Sequence, residues 1–252
     1  MKFSIITPVF NNVSLIKEVI EYISKQENVN IEHIILDAMS TDGTREFLLS
    51  LPPSNARIVV SEKDSGIYDA LNKGMKIATG EIIGILHSDD LLNNQHTLAH
   101  ILTFFLKQNA DIVYGDLVYV SRAETQKVLR EWKSGVFSFN QLKYGWMPPH
   151  PAFFIKKECL VSSRLSYDLN YSISADYDFM LKCLLNKNFN IGYIPEFVSI
   201  MRMGGKSNKN LGNILKKMYE DFQIAKKYFS FPLITLLFKN LRKIKQIKIA
   251  NG

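Results

Sequence analysis

Hydrophobic and polar residues alternate in blocks along the first half of the chain. The uncharged apolar run from Ile82 to Leu86 predicts a strand buried on both faces, and Phe3 to Val9, Ile31 to Asp37 and Arg57 to Ser61 predict three more strands. Between the strands, apolar residues recur at helical spacing, as in the segment Leu15 to Ile23. Strands that alternate with helices predict right-handed βαβ units and a mostly parallel sheet.

The pattern of the second half is less regular. It predicts a helix over residues 95–107, strands over Asp111 to Tyr119, Thr125 to Trp132 and Ala152 to Ile155, and a helix capped by Ser174 or Asp176. Further on, it predicts a helix over residues 211–228, a break at 229–232 and a last helix that ends in the basic segment. The chain therefore divides into a body, residues 1–205, and a tail, residues 206–252.

Charge is distributed unevenly between the body and the tail. The chain has 252 residues and a formal net charge of +7, but residues 206–252 contain eleven Lys or Arg and two acids. This distribution argues against a nucleic-acid-binding protein and for one local attachment to an anionic partner. Cys159 and Cys183 have no metal-binding spacing, and no apolar signal segment opens the chain, so a reduced, cytoplasmic setting is expected.

Acidic residues follow three of the predicted strands. They are Asp37, Asp64 and the adjacent pair Asp89 and Asp90. Because parallel strands open their carboxyl ends on one cleft, we expect these acids to converge on a ligand. Adjacent carboxylates repel each other unless a cation lies beside them, and a divalent metal that carries a phosphate meets that need. The alternative for each acid taken singly is a helix cap or a turn.

Seven short motifs occur in order over residues 3–207. They are Ile5-Ile6-Thr7-Pro8-Val9-Phe10-Asn11, Asp37 with Ser40 to Thr44, Asp64 to Gly74, Ala78 to Glu81, Ser88-Asp89-Asp90, Ala175 to Asp178, and Gly204 to Ser207. With them the chain resembles bacterial family 2 glycosyltransferases. The resemblance implies an α/β protein of the GT-A fold, a Rossmann-like sheet flanked by helices, followed here by a basic amphipathic tail. The stretch from Asp64 to Gly74 is most similar to enzymes of O-antigen, capsule or colanic-acid-type polysaccharide synthesis.

The resemblance also implies how the body divides: residues 1–90 would bind the nucleotide and residues 91–205 the acceptor. Asp90 would ligate Mn²⁺ or Mg²⁺, and Asp89 would contact the metal and the donor sugar or ribose. The other donor contacts it implies are Thr7, Pro8 and Phe10 at the base, Asp37 and Asp64 near the uridine, and Asn72 and Lys73 on the flanking helix.

The same resemblance places the catalytic base at Asp176, for which the alternative is a helix N-cap. Asp178 is interpreted as structural or as a partner of the site. His150, in a Pro-His-Pro loop, either contacts the diphosphate or acceptor or is a packed, hydrogen-bonded histidine. The chain departs from the family pattern at Ala38 and Ala175, where many relatives have acids.

A lid is also implied near the end of the body. Gly204, Gly205 and Ser207 match a mobile loop that closes over the diphosphate, and glycine tolerates the backbone change that closure requires. Arg202 and Lys206 would neutralise the diphosphate, with exposure to solvent as the alternative. Tyr68 and Trp146 would line the sugar pocket, with simple core packing as the alternative.

The resemblance, together with these residues, predicts an inverting, metal-dependent glycosyltransferase that uses a nucleotide-diphosphate sugar as its donor. The donor is expected to be UDP-linked, and the acceptor is expected to be a glycan or a polyprenyl-diphosphate-linked sugar. The alternative is an inactive nucleotide-sugar-binding partner in a polysaccharide-assembling complex. A dehydrogenase or phosphoryl-transfer enzyme is excluded, because no glycine-rich phosphate loop follows the first strand.

The last helix combines apolar residues from Leu233 to Ile247 with interleaved lysine and arginine. Such a helix suits an anionic membrane surface and predicts a peripheral location on the inner face of the cell membrane. The alternative is a helix docked through the same apolar stripe on the body or on a second subunit.

Overall fold

The structure of the protein, a computed structural model, describes residues 1–122, 124–204 and 211–245. The strands along these residues are β1 (Lys2–Val9), β2 (Asn30–Asp37), β3 (Arg57–Ser61), β4 (Ile82–Ile85), β5 (Leu91–Leu92), β6 (Ile112–Val120), β7 (Val128–Trp132), β8 (Phe153–Lys156) and β9 (Ile191–Arg202). The helices are α1 (Val13–Ser24), α2 (Thr44–Ser50), α3 (Ile67–Ile77), α4 (Thr97–Gln108), α5 (Phe139–Leu142), α6 (Lys157–Ser162), α7 (Ala175–Leu184), α8 (Leu211–Tyr228) and α9 (Pro232–Lys245). A 3₁₀ turn covers His150–Ala152.

One mixed sheet forms the centre of the body. Its strand order is β3-β2-β1-β4-β8-β6-β9-β5, and β7 pairs with β6. Strands β3, β2, β1 and β4 are parallel, which confirms the predicted parallel half. Strand β8 then runs antiparallel between β4 and β6, while β6 and β9 are parallel to each other. The acids that follow β2, β3 and β4 therefore lie toward the same edge of the parallel half.

Strand β4 lies in the middle of the sheet, between β1 and β8, and all four of its residues are buried. Gly84 in this strand packs directly under the ring of Phe154, where a Cβ atom would come within 2.5 Å of the ring. A side chain at this position would separate β4 from its neighbours. The central position of β4 directs the segment after it, which carries Asp89 and Asp90, into the cleft.

The long strand β9 is absent from the sequence-based prediction. Gly192 and Pro195 interrupt its apolar run, and its register with β6 shifts between Tyr114 and Asp116. An irregular register disrupts the alternation of apolar and polar residues by which strands are predicted. The pairing with β6 stabilises the strand nonetheless.

Helices cover both faces of the sheet. On one face α1 and α4 bury Ile16, Val19, Ile101 and Phe105 against the strands. On the other face α3 and α7 bury their apolar residues, and Ile224 of α8 joins the same cluster. Part of the tail is therefore built into the core of the body.

Helix α9 docks through its polar edge. The Thr235 hydroxyl donates to the carbonyl of Lys143 at 2.8 Å, and the Lys239 ammonium donates to Asp221 of α8 at 2.9 Å. Gly145 makes this approach possible, because a Cβ atom there would come within 2.6 Å of the Thr235 carbonyl oxygen. Most of the apolar stripe is exposed, but Phe238 packs edge-to-face on Tyr144 of the body, with ring centroids 5.5 Å apart. The choice between a membrane surface, the body and a second subunit stays a prediction. Among the described residues, none of the helices is both long and apolar enough to cross a membrane.

Candidate active site

Asp90 is a buried carboxylate for which the described residues supply no hydrogen bond of standard geometry. Its side chain is 1% exposed, and neither of its oxygens accepts a hydrogen bond of standard geometry from the described residues, although the Arg202 backbone amide lies close enough to lower its pKa. Burial raises the pKa of Asp90 well above its ordinary range, and the neighbouring Asp89 carboxylate adds to this effect, while Arg202 opposes it. Such a group caps no helix, and its predicted role as a metal ligand stays a prediction.

Two arginines surround Asp89. The Arg122 guanidinium lies 3.2 Å from the Asp89 carboxylate, and Arg202 donates to the Asp89 carbonyl at 2.9 Å. Arg202 also pairs with Glu18 at 2.7 Å and is almost fully buried, so the alternative that it is solvent-exposed is wrong. Its place beside the acidic pair fits the predicted neutralisation of a diphosphate, which stays a prediction.

Asp176 is the second residue of α7. Ser174 occupies the N-cap position and forms no side-chain cap, so the N-cap alternative for Asp176 is wrong. The Asp176 carboxylate accepts from the backbone amide of Tyr177 at 2.9 Å, and the Tyr68 hydroxyl, which donates to the Ile173 carbonyl at 2.6 Å, lies 3.3 Å from it. Burial and this carboxylate raise the pKa of Tyr68, so its hydroxyl stays protonated and acts as a donor. The carboxylate remains half-buried at the mouth of the site.

A small group of rings lies beside Asp176. His150 contacts the hydroxyl of Tyr167 through Nε2 at 2.7 Å, and its ring centroid lies 6.0 Å from that of His87. Burial lowers the pKa of His150 to about 4, against a smaller opposing effect of Asp176. His150 is therefore a neutral, hydrogen-bonded imidazole at pH 7, and its predicted donor contact stays a prediction.

The donor half has a shallow cleft lined by Asp37, Asp64 and Lys73, together with Leu36, Val60, Glu62 and Ala70. Asp37 is buried and accepts from the Ser61 hydroxyl at 2.6 Å. Asp64 accepts from the amide of Gly66, and Lys73 pairs with Glu62 at 2.8 Å. The structure thus brings three of the predicted donor residues together.

Other predicted donor residues are spread around this cleft. Thr7 is buried and bonded to His33 at 2.9 Å, Pro8 is buried beside it, and the ring of Phe10 is half exposed after β1. The Asn72 amide exchanges two 2.9 Å hydrogen bonds with the backbone of Tyr167. Asn72 therefore ties α3 to the segment before α7, and its donor contact stays a prediction.

The remaining predicted residues have mixed outcomes. Trp146 is a core residue whose indole donates to the Ser134 carbonyl at 2.7 Å. Asp178 is fully buried; burial raises its pKa, but the hydrogen bonds from Lys182 and Tyr228 outweigh this effect and lower it. The structural interpretation of Asp178 fits these contacts. Gly205, Lys206 and Ser207 lie outside the described residues.

Three residues of the site are missing from the prediction: His87, Arg122 and Tyr167. His87 lies two residues before Asp89 in the sequence, and this short separation could have indicated that it belongs to the site. Arg122 and Tyr167 come from distant segments that only the fold brings to Asp89 and His150. No spacing in the sequence indicates either contact.

Comparison with known proteins identifies the class that this fold and site define. The family described as glycosyl transferase family 2 matches residues 4–165, which is more than half of the chain. The chain therefore belongs to this family and is a glycosyltransferase. It is 30% identical over 210 residues to the PGL/p-HBAD biosynthesis glycosyltransferase of Mycobacterium bovis (strain BCG / Pasteur 1173P2), covering 82% of this chain and 79% of that protein.

Solved structures show the same fold. The structure of S. aureus TarS 1-349 in complex with UDP-GlcNAc aligns with a TM-score of 0.72 at 19% identity, over 97% of this chain and 73% of that one. The mannosyltransferase PcManGT from Pyrobaculum calidifontis, in complex with GDP-Man and Mn²⁺, aligns with a TM-score of 0.63 at 19% identity, over 94% and 68%. The predicted GT-A fold is thus confirmed.

Proposed function

We propose that the protein is an inverting, metal-dependent glycosyltransferase that uses a UDP-linked sugar. The buried carboxylate of Asp90, to which no described residue donates a hydrogen bond of standard geometry, is the observation that carries this proposal, since a structural acid at this depth would have partners. The acceptor is a glycan or a polyprenyl-diphosphate-linked sugar of a cell-surface polysaccharide. The polysaccharide motifs from Asp64 to Gly74 and a relative named for PGL/p-HBAD biosynthesis support this biosynthetic role.

The reaction is a single displacement at the anomeric carbon. The acceptor oxygen forms the new bond as its proton passes to the Asp176 carboxylate, and the bond to the donor diphosphate breaks with its electron pair leaving on the phosphate oxygen. The Tyr68 hydroxyl lies 3.3 Å from the Asp176 carboxylate and borders it on one side. The neutral imidazole of His150 and the ring of Tyr167, joined by a hydrogen bond and both buried, lie on the neighbouring side.

Asp90 and Asp89 fit a divalent cation, because hard cations prefer carboxylate oxygens. Neither carboxylate oxygen of Asp90 accepts a standard hydrogen bond from the described residues. No three metal-binding side chains meet within the described ranges, so the diphosphate would supply the other ligands. When bound, Mn²⁺ or Mg²⁺ would act as a Lewis acid on the departing diphosphate.

Nucleotide binding tests the donor assignment. We expect UDP and one UDP-sugar with Mn²⁺ to raise the free energy of unfolding by roughly 2.7 kcal/mol at a hundred times the dissociation constant, and chelator to remove the effect. Thermal denaturation with UDP, GDP and a panel of nucleotide sugars measures this. Stabilisation by GDP compounds alone would reject the UDP donor. Binding without transfer to any acceptor would favour the alternative, an inactive assembly partner, against which the presence of Asp176 argues.

We further propose that α8 and α9 hold the enzyme on the anionic inner face of the cell membrane. The side chains of Phe231 and Leu233 are 71% and 70% exposed, and those of Leu237, Phe238 and Leu241 continue the stripe along α9. Helix α8 adds four more exposed apolar residues, Ile214, Leu215, Met218 and Tyr219. An apolar stripe within a segment of eleven basic residues suits an anionic lipid surface. A lipid-linked acceptor would lie at the same surface.

Vesicle sedimentation tests this surface. We expect the full chain to sediment at low salt with vesicles that contain phosphatidylserine, and Leu233→Gln with Leu237→Gln to weaken binding roughly 10- to 100-fold through lost apolar burial. Leu106→Gln is the matched control, because this leucine is 63% exposed on α4, elsewhere on the body. Equal sedimentation of the double variant and the wild type would reject the surface. If the wild type is a dimer and the double variant is a monomer, the apolar stripe binds a second copy of the chain instead.

A further inference from the structure

Glu220 of α8 binds the backbone just before the catalytic helix α7. One carboxylate oxygen accepts from the amide and the hydroxyl of Ser172 at 3.0 and 3.1 Å. The other accepts from the amides of Ile173 and Ser174, both at 2.9 Å. Glu220 is only 4% exposed, so its carboxylate is shielded from water while it accepts these charge-assisted bonds. One side chain thus engages three consecutive amides.

The same segment is held from the opposite side by the donor half. The Tyr68 hydroxyl of α3 donates to the carbonyl of Ile173 at 2.6 Å, and it also contacts Asp176. The peptide groups of Ile173 are therefore fixed between α3 and α8. Asp176 follows three residues later, at the second position of α7, so the orientation of its carboxylate depends on this anchored segment.

Helix α8 makes a second, separate contact with α7. The Tyr228 hydroxyl donates to the buried Asp178 carboxylate at 2.8 Å, and Lys227 pairs with it at 3.1 Å. This contact fixes the body of α7 rather than the segment before it. The chain therefore offers two anchors from one helix, of which only the Glu220 anchor touches residues 172–174.

We propose that Glu220 is a positioning residue for the base Asp176, so that α8 helps to set the geometry of the active site. The proposal rests on the assignment of Asp176 as the base under the proposed function. It reaches beyond the family match, which ends at residue 165. A shift of about 1 Å in a reacting group can cost a factor of about 10² in rate, and the Glu220 bonds restrict such a shift.

Two substitutions of Glu220 test the proposal in the full-length chain. We expect Glu220→Gln, which keeps one accepting oxygen, to lower kcat about tenfold, and Glu220→Ala to lower it about 100-fold. The donor KM and the thermal shift with UDP and Mn²⁺ should stay at wild-type values. Amide hydrogen exchange of residues 172–176 should accelerate in the order wild type, Gln, Ala.

Tyr228→Phe is the matched control, because it removes a buried hydrogen bond between α8 and α7 and leaves residues 172–174 anchored. It should retain kcat within about twofold of the wild type. Unchanged kcat in both Glu220 variants, or equal losses in Tyr228→Phe, would overturn the proposal. If the wild type transfers no sugar, the proposed function fails by that result, and hydrogen exchange still decides separately whether Glu220 holds the segment.

Discussion

The variant Asp176→Asn should lose sugar transfer by about 10³-fold while it still binds the donor nucleotide. An amide cannot take the acceptor proton, and a positioned general base contributes about 10²- to 10⁴-fold to rate. The substitution keeps the size of the side chain and an oxygen that can accept from Tyr177 and Tyr68. The expected change is therefore confined to kcat. Steady-state kinetics with the donor found by the nucleotide panel, and the UDP-dependent thermal shift, measure the two parts.

Asp168→Asn is the control for this experiment. Asp168 lies in the segment before α7, and its carboxylate accepts only from the nearby Asn170 in the contacts described for it. Its loss should leave kcat within about twofold of the wild type. A normal rate in Asp176→Asn with intact donor binding would show that another group takes the proton.

The variant Asp90→Asn should change stability and ligand binding in opposite directions. Removing a buried carboxyl group that accepts no standard hydrogen bond from the described residues should stabilise the metal-free protein, by about 1–3 kcal/mol. The same change should weaken the Mn²⁺-dependent binding of UDP at least about 100-fold, because an amide oxygen is a much weaker ligand than a carboxylate. Urea denaturation with chelator and UDP titration with Mn²⁺ measure the two effects.

Asp111→Asn provides the contrast. The Asp111 carboxylate pairs with Lys156 at 3.1 Å and accepts from the Asn190 amide at 2.9 Å, so its loss should lower the free energy of unfolding. UDP binding should not change. If Asp90→Asn instead destabilises the metal-free protein as Asp111→Asn does, the Asp90 carboxylate has a structural partner. That result would reject the proposal that Asp90 binds a cation.

Local patterns were sufficient for most elements of the first half. Strands β1 to β4 and the helices between them have continuous apolar runs or helical periodicity, and the structure confirms each. The prediction failed where pairing, rather than local pattern, forms the element. Strand β9 contains Gly192 and Pro195, and it is held by β6 across a register shift. The predicted strand from Thr125 begins only at Val128, because Lys127 closes a turn on Glu124.

The tail illustrates both sides of this limit. Its two helices follow from periodicity and from the break at Pro232, and they appear nearly as predicted. The periodicity also identified the apolar stripe of α9. It could not show that the helix docks through Thr235 and Lys239, because that contact needs Gly145 from a distant loop.

The sequence by itself determined the fold class, the strand-end acids and the identity of the candidate base, because these depend on short-range pattern and on motifs at characteristic spacing. Only the tertiary structure decided which polar groups have partners. Within the described residues, Asp90 accepts no hydrogen bond of standard geometry, Arg202 is buried beside Asp89, and Glu220 holds the segment before Asp176. The physical reason is that the state of a buried charge depends on groups from distant parts of the chain, and folding alone brings those groups together.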